Sequence, residues 1–154
     1  GHCLGAGLQL ALATDIRIAT ADCQFAIMEA KWGLVADMGL TQSAMGVLRA
    51  DIVKELAMTA RIFDGQQAFD YGVVSHLSDT PMEVAKNLVA ELSNRSPDAI
   101  LASKRITNAM YHTPATTLYQ EKLWQIKLLL GQNRKLAVKK AKDETVKFIG
   151  RQFN

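Results

Sequence analysis

The sequence predicts an α/β fold, because short segments with a strand pattern are followed by longer segments with a helix pattern. In 15–20, β-branched and apolar residues alternate with polar ones, and 24–28 is a second short apolar segment, so we expect two strands. From residue 41 onward, apolar residues recur at three- to four-residue spacing, which is typical of helices. With 154 residues, of which 49% are hydrophobic and 21% charged, the chain is long enough for one domain with a real core.

Turn and cap residues set the limits of the individual elements. Asp64 can cap a short helix that Gly72 ends, and Pro81 suits a first helical turn because its missing N–H costs little there. In chain order we expect a glycine-rich turn at 1–7, a helix at 8–14, strands at 15–20 and 24–28, an ordered loop at 29–39, helices at 41–48, 52–59 and 64–71, a strand at 73–77, helices at 81–92 and 96–110, and an almost entirely helical end at 114–153 with a break at Gly131 or near Asn133. No strand is expected ahead of the turn, although such turns usually follow a buried strand, so we expect the sequence to begin within the fold.

The charge, the apolar content and the cysteine and histidine positions argue against several classes of protein. A formal net charge of +3 allows attraction to a phosphorylated ligand but does not require a nucleic acid partner. The chain has neither a run of about 18 apolar residues nor a basic segment followed by an apolar one, so we expect no membrane span and no secretory signal. Cys3 and Cys23 follow no metal or redox spacing, which indicates a reduced, cytoplasmic protein. His2, His76 and His112 share no metal-ligand spacing, so no metal site is expected.

The glycine-rich opening at 1–7 is a candidate anion site. Where such a turn enters a helix, backbone N–H groups lack intrahelical partners and the helix dipole adds positive potential. If a thioester oxygen lay at this turn, the charge that develops on it in an enolate would be stabilised where it forms. Taken alone, the turn favours the simpler interpretation that its glycines only allow close packing.

The turn is followed by further motifs in a defined order. Residues 1–19 resemble the signature of the crotonase superfamily, the enoyl-CoA hydratase/isomerase family, in which a GxxxGGG-like turn leads through a helix to a D-I-R-x-A strand. The similarity continues in the family's order through Phe25, Glu29, Gly33-Leu34, Asp37, Gly39, 55–61, Gln67-Ala68, 71–74, Ser96-Pro97 and Lys104. Because the similarity spans most of the chain, the sequence is identified as a member of this family, as its C-terminal part.

The resemblance implies an architecture and a chemistry. The crotonase-like fold is a spiral of β-β-α units, of which 1–95 would be the later part of the core and 96–154 a C-terminal helical oligomerisation region. The family acts on acyl-CoA thioesters through an enolate held in an oxyanion hole. It needs no cofactor, since coenzyme A is part of the substrate, and its members form trimers or dimers of trimers. We therefore expect a homotrimer or a dimer of trimers, with Leu123, Ile126 and Leu130 as an apolar face for a partner subunit.

The resemblance also implies roles for individual residues. The backbone N–H of Ala6 matches the second oxyanion-hole donor, with Leu4 and Gly5 beside it in the substrate-binding turn, while the first donor would come from a segment ahead of residue 1. Gln9 occupies the position of one of two catalytic glutamates; an amide is not a base at neutral pH but can orient a water or the thioester. Glu29 matches the second glutamate and is the expected general acid/base. Without the family, Glu29 would be interpreted as a solvated loop carboxylate.

Three further residues have open interpretations. Asp37 stands where dienoyl-CoA isomerases of the family carry an aspartate, but it is equally typical of a turn beside Gly39. Phe148 and Arg151 resemble residues that contact the coenzyme A of a neighbouring subunit. A dense set of basic residues lies near them, which suits coenzyme A phosphates but is also typical of a solvated helix face: Arg134, Lys135, Lys139, Lys140, Lys142 and Lys147.

Three functions follow as hypotheses. The first is an enoyl-CoA hydratase/isomerase; Gln9 with Glu29 favours a double-bond shift by one base, whereas Glu29 with Asp37 would allow hydration. The second is a non-catalytic acyl-CoA-binding or assembly protein that kept the fold and lost a carboxylate at Gln9. The third is nucleic-acid binding through the basic end, against which the modest net charge argues.

Overall fold

The computed structural model describes residues 1–111 and 114–153, without the side chains at 111–118, 120 and 121. His112, whose structural role was predicted, lies outside the described residues. The chain forms two compact units, Gly1–Lys86 and Asn87–Asn154. The predicted division into 1–95 and 96–154 stays a prediction about function and assembly.

Two pairs of parallel strands organise the first unit. Strand β1 (His2–Leu4) pairs with β3 (Gln24–Ala26), and β2 (Ile18–Ala19) pairs with β4 (His76–Leu77). The turn predicted over all of 1–7 is therefore too long, because β1 occupies three of its positions. The strands predicted at 15–20 and 73–77 are shorter than expected. The N–H groups of Val73 and Val74 donate to the carbonyl of Ala68 and close a helix instead of pairing with a strand.

Short helices connect these strands. Helix α1 (Ala6–Leu12) leads from β1 to β2, and a 3₁₀ helix (Glu29–Trp32) follows β3 where a loop was expected. This 3₁₀ helix ends at Gly33, whose φ of +69° is the left-handed conformation that glycine adopts readily. The remaining helices of this unit are α2 (Leu40–Ala44), α3 (Ala50–Thr59) and α4 (Gly65–Asp70).

The predicted cap of α4 is confirmed. The carboxylate of Asp64 accepts from the backbone N–H of Gln67 at 2.8 Å, and the Gln67 side chain accepts from the Asp64 N–H at 3.1 Å. This reciprocal capping box satisfies two donors that the helix start would otherwise leave unpaired. The core beneath these elements is a single cluster of buried side chains: Leu8, Leu12, Ala19, Phe25, Ile27, Leu40, Ala44, Leu48, Leu56, Phe63, Ala68, Val73 and Val74.

The second unit is helical. Helix α5 (Pro81–Ser93) crosses from the first unit into the second, and α6 (Pro97–Asn108), a 3₁₀ turn (Ala109–Tyr111), α7 (Pro114–Leu130) and α8 (Gln132–Lys140) follow. The predicted break at Gly131 is confirmed, since it is the N-cap of α8. The helix predicted to continue to residue 153 ends at Lys140.

A buried polar cluster explains why the end of the chain leaves the helical conformation. Asn133 Nδ2 donates to Asp98 Oδ2 at 2.7 Å, and the backbone N–H of Ile149 donates to Asn133 Oδ1 at 3.1 Å. The N–H of Gln152 donates to Asp98 Oδ1 at 2.8 Å. Because these backbone groups bond to side chains, they are not available to a continuing helix.

Candidate active site

Gly5 forms the turn between β1 and α1. Its φ of +52° and ψ of −122° are accessible to glycine but strained for other residues, and its N–H donates to the carbonyl of Ala26 at 2.8 Å. The first intrahelical bonds of α1 are donated by Leu8 and Gln9 to the Gly5 carbonyl, at 3.0 and 3.2 Å. Ala6 precedes these donors, so its N–H has no acceptor within the helix. The backbone N–H of Ala6, at an exposed position of the turn, can therefore donate to a ligand.

The side chain of Gln9 lies inside the molecule, with only 1% of its surface exposed. Its Nε2 donates to Glu29 Oε1 at 2.6 Å, and its Oε1 accepts from the backbone N–H of Met38 at 2.8 Å. Both ends of the amide are therefore held. The structure brings together the positions that the sequence predicted as a catalytic pair, and it joins them directly.

Glu29 has one satisfied and one unsatisfied carboxylate oxygen. Oε1 accepts from Gln9 and lies 3.5 Å from the position that a Cβ atom on Gly5 would occupy. Oε2 is buried and, within the part of the chain that the structure describes, has no hydrogen-bond partner. The alternative of a solvated loop carboxylate is wrong. Burial of a carboxylate oxygen without a partner is unfavourable, and such groups concentrate at functional sites.

Asp37 is placed differently. Its side chain is exposed, and among residues 1–111 and 114–153 no hydrogen bond joins it to Gln9 or Glu29. Its neighbour Met38 makes the contact with Gln9 through the main chain. No residue pattern indicates this backbone contact, because a peptide N–H is present at nearly every position and carries no side-chain signature.

Leu4, Phe148 and Arg151 have less defined surroundings. Leu4 is half-buried at the end of β1, and Arg151 is exposed in the second unit. Phe148 is half-buried, and Lys140 Nζ lies 5.8 Å from the centre of its ring. The same Nζ donates to the carbonyls of Glu144 and Val146, both at 3.2 Å, so this lysine shapes the end of the chain.

Phe148 also lines an open cavity of about 440 Å³ in the second unit. The other residues that line it are Val89, Leu92, Ser93, Arg95, Pro97, Ile100, Ile149 and Gly150. The cluster of Asp98 and Asn133 fixes the segment to which Ile149 and Gly150 belong. Asp98 lies within the helix predicted at 96–110, but nothing in the sequence linked this residue to Asn133.

Two classes of feature are not found among the described residues. In 1–111 and 114–153, no three histidine, cysteine, aspartate or glutamate side chains are grouped so that they could hold a metal ion. No helix in the same part of the chain has the length and apolar content that a membrane span requires.

The arrangement of strands, glycine turn and helices occurs in known structures. An enoyl-CoA hydratase from Mycobacterium tuberculosis superposes with a TM-score of 0.86 at 27% sequence identity, over 96% of this chain and 60% of that one. A Thermobifida fusca protein assigned as an enoyl-CoA hydratase, in complex with acetoacetyl-CoA, superposes with a TM-score of 0.79 at 31% identity, over 84% of this chain and 52% of that one. The fold is therefore crotonase-like α/β, as predicted.

Sequence similarity agrees with the fold. The family model for enoyl-CoA hydratase/isomerase matches residues 1–142, and the chain belongs to that family. A mitochondrial Delta(3,5)-Delta(2,4)-dienoyl-CoA isomerase from Pongo abelii is 33% identical over 148 residues, which is 92% of this chain and 44% of that relative. The chain thus spans less than half the length of this relative. Phe148 and Arg151 lie beyond the residues that the family model matches.

Proposed function

We propose that this protein is an enzyme that acts on acyl-CoA thioesters through an enolate, with Glu29 as the group that moves the proton. The observation that carries the proposal is the buried Oε2 of Glu29, which has no partner in the described chain and belongs to a carboxylate beside the Gly5 turn. A carboxylate so placed is suited to general acid/base catalysis. The main-chain N–H of Ala6 would donate to the thioester oxygen, with Leu4 and Gly5 beside it.

Double-bond isomerisation is the reaction that this site supports best. On a thioester with a β,γ double bond, ionised Glu29 removes a proton from the α-carbon, and the C–H electron pair passes into the carbonyl to form the enolate. When the carbonyl re-forms, the double bond moves to the α,β position and the γ-carbon takes the proton back from Glu29. One base is sufficient, and no atom is gained or lost. The similarity to a dienoyl-CoA isomerase supports this direction.

Hydration is the second candidate, because a structural neighbour is an enoyl-CoA hydratase. Two carboxylates that hold one water favour this reaction, and Glu29 has an amide, Gln9, as its partner. Asp37 would have to supply the second carboxylate, but it is exposed and not joined to Glu29 by any hydrogen bond in the described chain. Hydration by Glu29 and Asp37 is therefore the weaker proposal.

The remaining features of the predicted enzyme are also proposals. Coenzyme A would enter only as part of the substrate, which the acetoacetyl-CoA bound to a structural neighbour supports. Phe148, Arg151 and the basic residues near them would contact coenzyme A on an adjacent subunit of a trimer or a dimer of trimers. A cytoplasmic location follows from the two cysteines, both of which are free.

The decisive experiment compares the natural protein with its Glu29→Gln variant on 2-enoyl-CoA, 3-enoyl-CoA and 3,5-dienoyl-CoA substrates. We expect kcat to fall by roughly 10²–10⁴-fold, which is the usual contribution of a general acid/base. Glu83→Gln is the matched control, because it replaces a glutamate by glutamine at an exposed position of α5. We expect this control to keep the activity of the natural protein.

Two results would contradict the proposal in different ways. Full activity in Glu29→Gln would show that Glu29 does not move the proton, although the protein would still be an enzyme. Binding of acyl-CoA without turnover by the natural protein, with Gln9→Glu failing to restore activity, would instead favour the non-catalytic binding or assembly protein.

A further inference from the structure

The hydrogen bonds of Gln9 fix which way its amide points. A backbone N–H can only donate, so the atom of Gln9 that faces Met38 N, 2.8 Å away, is the carbonyl oxygen. The amide nitrogen consequently faces Glu29 Oε1 at 2.6 Å. Gln9 itself is only 1% exposed, so water has little access to its amide. The orientation of the amide thus follows from chemistry and needs no choice between flipped forms.

The same reasoning identifies the oxygen of Glu29 that can carry a proton. An amide nitrogen is a donor only, so Oε1 acts as the acceptor in this contact, and a proton on Oε1 would weaken it. The contact therefore favours a proton on Oε2, the buried oxygen that has no partner in the described chain. The two oxygens of one carboxylate have different tasks: one anchors it and the other exchanges protons.

We propose that Gln9 is a positioning residue that holds Glu29 so that Oε2 alone takes and returns the substrate proton, and that this selects proton transfer within the substrate over hydration. The inference rests on the proposed function and specifies its chemistry. With Oε1 held by Gln9, the carboxylate cannot rotate to exchange its oxygens during the lifetime of the enolate. The proton taken from the α-carbon is then the proton returned to the γ-carbon.

Transfer of an isotope label tests this directly. The natural protein is given a 3-enoyl-CoA with deuterium at the α-carbon, and the fraction of product that carries this deuterium at the γ-carbon is measured. Gln9→Met keeps the length of the side chain but removes both the donor to Glu29 and the acceptor of the Met38 N–H. We expect the transferred fraction to fall at least about twofold and kcat to fall about tenfold, as for loss of one hydrogen bond to a charged group, with KM within about twofold.

Two further variants exclude a purely structural effect. Gln24→Met makes the same substitution at an exposed glutamine of β3, and we expect natural kcat and label transfer. Gln9→Glu keeps an acceptor for the Met38 N–H but replaces the donor to Oε1, and we expect it to lose label transfer and to gain hydration of 2-enoyl-CoA. Partial unfolding would lower the amount of active enzyme, but the fraction of label transferred in each turnover would stay the same.

The outcomes separate the two proposals. Unchanged label transfer in Gln9→Met, or in Gln9→Glu if the first variant does not fold, would overturn the role of Gln9 while Glu29-dependent turnover still supports the enzyme. Absence of Glu29-dependent turnover in the natural protein would overturn the proposed function itself.

Discussion

At the scale of single residues, the candidate site depends on a glycine that permits a backbone conformation with positive φ. The Glu29 Oε1 atom lies 3.5 Å from the position of a Cβ atom on Gly5, and Met28 Cγ lies 3.6 Å from it. Space therefore allows a methyl group, but the φ of +52° at this position does not suit an L-residue. The turn is thus defined by backbone conformation, whereas the orientation of Glu29 is defined by the side chain of Gln9.

Cys3 lies two residues before this turn, and its thiol has an altered acidity. Partial burial, followed by the neighbouring Cys23, raises the pKa of the Cys3 thiol above its ordinary value. We expect Cys3 in a Cys23→Ser variant to react with iodoacetamide more slowly in the folded protein than in urea at pH 8.5, because less of it is thiolate. Equal rates in the two states, measured by mass spectrometry, would contradict this.

The same shift has a consequence for stability. Since the folded-state pKa lies above the unfolded one, the unfolded chain releases its thiol proton first as pH rises. The contribution of Cys3 to the free energy of unfolding is therefore fully present below the ordinary thiol pKa, and it is lost as pH rises through the folded-state pKa.

At the scale of elements, helix α4 packs against the connection between β2 and β3 at a distance that only glycine permits. A Cβ atom on Gly65 would lie 2.2 Å from the Thr20 carbonyl oxygen and 2.9 Å from Ala21 Cα. The Gly65 N–H donates to the Ala21 carbonyl at 3.0 Å. This contact is between main-chain atoms, and it holds the helix whose C-terminal end, through Ala68, binds Val73 and Val74.

The Asp98–Asn133 cluster plays the corresponding part in the second unit. Both side chains are only 1% exposed, and Asn133→Ala would leave Asp98 Oδ2 without the donor it has in the native structure. It would also remove the acceptor of the Ile149 N–H. We expect the free energy of unfolding to fall by about 3 kcal/mol, because the buried Asp98 carboxylate and the main-chain groups of Ile149 and Gly150 all lose partners. Urea denaturation followed by circular dichroism measures this change.

Asn94→Ala is the control for this prediction. Its side chain is exposed and donates to the Ala90 carbonyl four residues earlier, so we expect a change within about 0.5 kcal/mol. A loss for Asn133→Ala no larger than that of the control would show that the cluster does not hold the end of the chain.

At the scale of the whole molecule, the sequence predicted most of what depends on local pattern and less of what depends on distant contacts. The α/β class, the cap at Asp64 and the break at Gly131 follow from nearby residues, and all three are confirmed. The bonds from Met38 to Gln9 and from Asn133 to Asp98 join residues 29 and 35 positions apart. No residue pattern predicts such contacts, because tertiary packing decides which main-chain groups come near which side chains.

The exposed apolar residues of helix α7 bear on how the whole molecule assembles. Helix α7 exposes 47% of Ile126 and 80% of Leu130, while Leu123 is half-buried. Exposed apolar side chains on one helix favour a protein partner, and we propose that this partner is another copy of the chain.

We expect Ile126→Glu to dissociate a trimeric natural protein, because the substitution would bury an unpaired charge in the contact between subunits. Gln125→Glu is the matched control: it adds the same charge to the adjacent, exposed position of α7 and should leave the assembly intact. Light scattering coupled to size-exclusion chromatography gives the mass of each variant. If Ile126→Glu keeps the natural mass, the subunit contact lies on another face and the prediction is wrong. If both variants dissociate, the assembly is sensitive to added charge anywhere on the helix, which also contradicts the prediction.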